Sequence, residues 1–153
     1  MKSILFVCAG NIFRSMCAEL LLKKFLLEDH KKTKVSSAGI TARQQEIHPV
    51  VKEELNKRKI DYSKHKQRKV TKEILDSSDV VVSMTNFHKG FLKEKFNRDS
   101  VLFNELCFYE NEDFLDYSDI LQETNSKEKA EEYIRIAIKK IEEGCKNLSK
   151  KLQ

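Results

Sequence analysis

Ser3-Ile4-Leu5-Phe6-Val7-Cys8-Ala9-Gly10-Asn11-Ile12-Phe13-Arg14-Ser15 decides how this chain is read. Ile4 to Val7 is an unbroken apolar run, the pattern of a strand buried on both faces. A polar turn follows from Ala9 to Arg14. Beyond it, Ala18, Leu21, Leu22, Phe25 and Leu26 recur at helical spacing, which predicts a helix from about Ser15 to Asp29. In open α/β sheets, ligands gather at the carboxyl ends of the strands, near the first such turn. This turn has a single glycine, so it is neither a G-x-x-x-x-G-K-[ST] loop nor a G-x-G-x-x-G dinucleotide turn.

The same alternation continues outward. Lys34 to Ala38 reads as a second strand closed by Gly39. Pro49 opens a helix to about Lys59, where its missing N–H costs nothing. Thr71 opens a shorter helix with Ile74 and Leu75, and Val80 to Val82 is a third strand. Phe87 to Phe96 is helical with Phe87, Phe91 and Leu92 on one face, and Val101 to Phe103 is a fourth strand. Cys107 to Thr124 reads as acidic and irregular. Asn125 and Glu128 fit a capping box for the last helix. Ile134, Ile138, Ile141, Cys145, Leu148 and Leu152 then form one apolar stripe. Alternating strands and helices call for an α/β fold, a parallel sheet covered on both faces. No linker or repeat divides the chain, so residues 1–153 are expected to form a single domain.

Composition narrows the class of function. The chain has 153 residues, a net charge of +5, and 40% apolar and 35% charged residues. No apolar run reaches the ~20 residues needed to span a bilayer, and the short apolar start does not read as a signal peptide. Nine phenylalanines argue against disorder. Cys8, Cys17, Cys107 and Cys145 show no metal spacing. Free thiols and a cytoplasmic location are therefore expected. Lys64, Lys66, Arg68, Lys69 and Lys72 make a basic stretch, read as a solvated face or an attractor of anions. No aromatic residues interleave there as a nucleic-acid platform requires. His30, His48, His65 and His88 lack metal spacing and are expected at the surface or in loops, with His65 bracing the turn through Ser37.

The turn itself offers chemistry. A helix N-terminus presents unpaired backbone N–H groups and a partial positive charge, so it receives anions. Gly10 is expected to let the backbone turn its N–H groups inward. Arg14 adds a planar fork matched to two phosphate oxygens. The same field favours a thiolate at Cys8, a nucleophile. Asn11 braces the turn in a left-handed conformation, and Ser15 donates to the sulfur. Ala9, Gly10, Asn11, Ile12, Phe13, Arg14 and Ser15 are the expected phosphate-binding residues.

Cys8 through Arg14-Ser15, with Met16-Cys17-Ala18-Glu19 beyond, resembles the Cys-x5-Arg-Ser signature of low-molecular-weight protein tyrosine phosphatases. Ser36 to Gly39, His65 to Glu73 and Asp79 to Met84 resemble further segments of that family, so the likeness covers nearly the whole chain. The resemblance implies a flavodoxin-like, three-layer fold with a four-stranded parallel sheet. It implies hydrolysis of phosphotyrosine in proteins, or of small aryl phosphates, through a phosphocysteine on Cys8. Inorganic phosphate is the product, and no metal, cofactor, nucleic acid or membrane is called for. The family's general acid is an aspartate followed by proline, shortly before the last helix. Here Pro49 is the only proline, and Asp113, Asp116, Asp119 and Glu123 are the candidates. Counting back from Asn125 favours Asp119, in Asp-Ile, with Asp116 as runner-up.

Phe13 stands where many members have a second cysteine, so Cys17 is the alternative partner of Cys8 under oxidation. Tyr117 or Tyr109 stands in for the family's pocket aromatics. Three rivals remain. The arginine phosphatase branch carries a threonine where Ile12 stands, and an apolar residue there suits a flat phenyl ester better than a guanidinium. Thiol-linked arsenate reductases need two more cysteines near the third strand, and residues 71–100 have none. The third is a phosphate-binding module without catalysis.

Overall fold

The computed structural model describes residues 2–152. Its elements follow the order β1 (Ser3–Cys8), α1 (Arg14–Glu28), β2 (Lys34–Gly39), α2 (Pro49–Lys57), α3 (Lys72–Asp76) and β3 (Val80–Ser83). Then come α4 (Asn86–Phe96), β4 (Val101–Leu102), α5 (Phe103–Phe108), α6 (Tyr117–Thr124) and α7 (Lys127–Lys151). The four strands form one sheet in the order β2-β1-β3-β4, every pair parallel. This is the expected flavodoxin-like α/β fold. The chain winds one way from β1 to β2 and the other way through β3 and β4, so the winding reverses at β1. The crevice at the carboxyl end of β1 is where such sheets bind ligands.

The pleat of β1 divides the core. Ile4, Phe6 and Cys8 face the layer of α1, α2, α5 and α7. Leu5 and Val7 face the smaller layer built on Leu75 of α3 and Leu92 of α4. Phe6 and Phe103, both fully buried, meet at 6.1 Å. Burying a side chain of this size stabilises by about 1.5–3 kcal/mol. The α7 stripe from Ile134 to Leu152 is buried as its spacing predicts. No helix among the described residues is long and apolar enough to cross a membrane.

Differences from the sequence reading cluster after β3. The stretch 107–124 is irregular only over residues 109–116: α5 starts directly after a two-residue β4 and runs to Phe108, and α6 occupies the end of the stretch. Asp116 caps α6 and Asp119 closes a capping box with it, so the acidic residues that looked like loop are helix-start signals. Asn125 is the left-handed C-cap of α6 (φ 50°), and Ser126 caps α7 by accepting from Lys129 N. In α4 Leu92 is buried and Phe91 packs against the core as expected, but Phe87 departs from that face. Phe87 is 73% exposed, whereas His88 is 4% exposed. Thr85 caps that helix through His88 N, which turns His88 inward behind the end of β3.

The end of β2 runs hard against the turn after β1. Ile40 N donates to Cys8 O at 3.0 Å and Thr41 N to Ala9 O at 3.0 Å. A Cβ on Gly39 would stand 2.4 Å from Ala9 O and 3.0 Å from Asn11 N, both backbone atoms that cannot yield cheaply. Gly39→Ala should therefore destabilise by roughly 1–3 kcal/mol, seen as a lower urea midpoint with an unchanged slope.

Burial, followed by the nearby Arg14 charge, pushes the His88 imidazole down from 6.5 to about 4. The unfolded imidazole takes its proton near 6.5 and the folded one does not. Stability is therefore lost as pH falls from 7 toward 4, by roughly 2 kcal/mol at pH 5. His88→Asn should unfold with a shallower dependence on pH between 7 and 5. Parallel urea-midpoint curves for the two proteins would count against this account.

Candidate active site

Asn11 is the residue from which the turn is built. It takes the left-handed conformation (φ 57°), is fully buried, and commits all its side-chain polar atoms. Its Nδ2 donates to Ser15 Oγ at 2.9 Å and to Ser37 Oγ at 2.8 Å. Its Oδ1 accepts from Arg68 N at 3.2 Å, which fixes the amide's orientation. Its carbonyl oxygen meets His65 Nε2 at 2.7 Å. Gly10 has no positive φ. The left-handed residue of the turn is Asn11, and Gly10 serves as an open wall of the site. His65 braces the turn through the Asn11 carbonyl, not through Ser37.

This network orders the proton next to the nucleophile. Ser15 Oγ lies 2.9 Å from Cys8 Sγ and already accepts from Asn11. Ser15's own hydrogen is therefore free to point at the sulfur. Ser37 in turn donates to Glu19 Oε1. The first turn of α1 has no side-chain cap at Phe13, so its backbone N–H groups remain for a ligand. Burial raises Cys17 and Cys145 well above the usual thiol range and Cys107 to about 12. All four cysteines are unpaired.

Arg14, 4% exposed, sends Nη1 to Phe114 O at 2.7 Å. Its Nε faces Asp116 Oδ1 at 3.5 Å and has no hydrogen-bond partner. A buried guanidinium N–H left open in this way is a strong donor awaiting an anion. Asp116 is itself held, with Oδ2 accepting from Ser118 N at 3.1 Å and Ser118 Oγ at 2.6 Å.

Asp119 lies further out, with Oδ2 accepting from Asp116 N at 2.9 Å. Asp113 Oδ1 accepts from Asn86 N, and Glu123 is exposed on α6. Of the four carboxylates, Asp116 is the one that meets Arg14. Moving the cap from Asn125 to Ser126 shifts the count made from it by one residue, away from Asp116, so what marks Asp116 is its approach to Arg14 and not the count.

Cys8, Gly10, Ile12, Phe13, Asp116 and Tyr117 line one cavity of about 340 Å³. Tyr117 packs on Phe13 at 5.4 Å and on His48 at 5.1 Å, making an aromatic wall. Burial, with Asp116 beside it, raises the Tyr117 phenol. Tyr109 takes no part: it is 81% exposed at the end of α5, under Lys151. The sequence reading missed Thr41, Arg43, Gln45 and Ser118, which complete the lining. It also missed that Arg68 of the basic stretch is a brace, its Nε donating to Ser37 O at 2.9 Å. The position of a loop far along the chain carries no local signal. A larger cavity, about 810 Å³, lies around Lys2, Lys34 and Asp79 at the opposite end of the sheet.

The family model for low molecular weight phosphotyrosine protein phosphatases matches residues 3–153. A protein-arginine-phosphatase of Bacillus subtilis (strain 168) is 34% identical over 96 residues, 62% of this chain and 63% of that protein. The chain thus spans less than two thirds of the length of that curated relative. The low molecular weight protein-tyrosine-phosphatase YfkJ of the same organism is 28% identical, over 100% of this chain and 97% of its own. The crystal structure of a YwlE mutant from Bacillus subtilis is similar with a TM-score of 0.84 and 26% identity, covering 99% of this chain and 98% of that one. With Cys8, Arg14 and the braced turn between them in place, the chain belongs to the low molecular weight phosphotyrosine protein phosphatase family.

Proposed function

We propose that the protein hydrolyses phosphotyrosine in proteins, and small aryl phosphates, through a phosphocysteine. The observation that carries the reading is the open, buried Nε of Arg14 between the Cys8 turn and Asp116. Cys8 Sγ attacks phosphorus, and the bond to the phenolic oxygen breaks. Arg14 and the backbone N–H groups of residues 9–14 hold the three equatorial oxygens as their charge is redistributed. Asp116, protonated in the Michaelis complex, gives its proton to the leaving phenolate. Water then attacks the phosphocysteine, Asp116 takes its proton, and inorganic phosphate leaves with the thiolate restored. Ser15 supports the sulfur in its anionic form. A reducing cytoplasm and a single domain over residues 1–153 fit four unpaired thiols and one sheet.

The Phe13–Tyr117 wall and the apolar Ile12 favour a flat aryl ester. The relative named a protein-arginine-phosphatase supports a second reading, a phosphoarginine substrate. The two separate by rate. Phosphotyrosine peptides should be cleaved at least about tenfold faster than phosphoarginine peptides, the scale on which pocket shape discriminates, and Ile12→Thr should narrow that ratio. A wild-type preference for phosphoarginine would establish the second reading.

The acid is tested by leaving group. Asp116→Asn should lose about 10²–10⁴-fold in kcat on phosphotyrosine, and far less on an aryl phosphate whose phenol is already acidic. Asp119→Asn should lose little on either, since it acts only through the cap. A large leaving-group dependence in Asp119→Asn would reassign the acid. Cys8→Ser should abolish turnover with both substrates.

A further inference from the structure

A second cleft, of about 380 Å³, opens on the α4 side of the turn. It shares Ala9, Thr41, Asp116 and Ser118 with the cavity at Cys8, so the two are continuous across the reacting centre. We propose that this cleft is a subsite for a basic side chain adjacent to the phosphorylated residue of a peptide substrate. The proposal rests on the phosphatase reading and adds to it which sequences are cleaved.

The chemistry of the walls selects a cation. Asp113 spends one oxygen on Asn86 N and Nδ2 (2.7 and 3.0 Å) and keeps Oδ2 open. Asp119 spends Oδ2 on the cap and keeps Oδ1 open. Neither carboxylate has an ion pair among the described residues, although the chain as a whole carries +5. Among the described residues Arg14 is the only cation lining the cleft, and bound phosphate engages it. A phosphorylated substrate therefore adds negative charge to an already acidic rim.

Two further observations point to an occupant. His88 lines the cleft, is 4% exposed, and leaves Nδ1 without a partner. The imidazole is neutral at pH 7, so it does not repel a cation. Phe87, 73% exposed, stands edge-on to His88 at 6.2 Å, and Leu115 is 40% exposed on the same cleft. Together they offer an apolar bed for a lysine or arginine stem and a π-face for its head.

The test compares phosphotyrosine peptides carrying Lys, Ala or Glu beside the phosphorylated residue, together with a small aryl phosphate. Wild-type kcat/KM should favour the Lys peptide over the Glu peptide by about 3- to 10-fold at low salt, and less at high salt. Asp113→Asn keeps the oxygen that Asn86 needs and should lose most of the preference. Phe87→Ala, at an exposed position, should weaken it. Both variants should cleave the small aryl phosphate at the wild-type rate. Equal rates on the three peptides, or a preference that survives Asp113→Asn, would overturn the subsite while leaving the phosphatase intact. If wild type fails on the aryl phosphate as well, the phosphatase reading falls and the subsite with it.

Discussion

The hydrogen bonds of one buried amide hold the active centre together. Asn11 reaches forward to Ser15 on α1, sideways to Ser37 on β2 and back to Arg68 on the segment before α3. An amide has two hydrogens and one oxygen, and each has a partner here. An aspartate would bring a charge into a fully buried place and lose both donors. An aliphatic residue would leave Ser15, Ser37 and Arg68 N short of partners at once, each at a desolvation cost. The left-handed backbone suits asparagine more than most residues. Conformation and hydrogen bonding thus select the same side chain. The shape of the turn, the direction of the Ser15 hydroxyl and the seat of Cys8 all follow from it.

What local sequence records and what it does not are divided by distance along the chain. Ile4 to Arg14 is one contiguous strand and turn, and its neighbours on the sheet only confirm it. The α7 stripe was equally legible because its period is internal to the helix. Asp116 and Asp119 were harder to tell apart. Both are helix-start residues of α6, and only the return of that helix to Arg14 distinguishes them. The left-handed backbone expected of Asn11 is there, at φ 57°, because asparagine tolerates that region and the residue lies inside the legible turn. His88 and Phe87 exchanged the roles that hydrophobicity alone assigns, because Thr85 sets the start of α4 and with it the face that turns inward.

Charge around the centre is distributed unevenly. Arg43 borders the aromatic cavity on one side, and Asp113 and Asp119 border the cleft on the other. Arg14 stands between them with its charge shared by a carbonyl and a carboxylate. Such a field orients an approaching substrate before contact, which a net charge of +5 by itself does not reveal.

Phe114 anchors the segment that leads to Asp116. Its ring is buried against Phe103, its N–H donates to Met84 O at 2.8 Å, and its carbonyl receives Arg14. Tyr133 OH adds a bond to the next carbonyl, Leu115 O, at 2.6 Å. Asp116 is thereby tethered two residues from the sheet rather than carried on a swinging flap. Two hydrogen bonds within two residues of Asp116 fix the path of the segment in the empty protein. Arg14, Asp116 and the turn at Cys8 therefore stand against one another before any anion arrives, and binding need not spend free energy on assembling them.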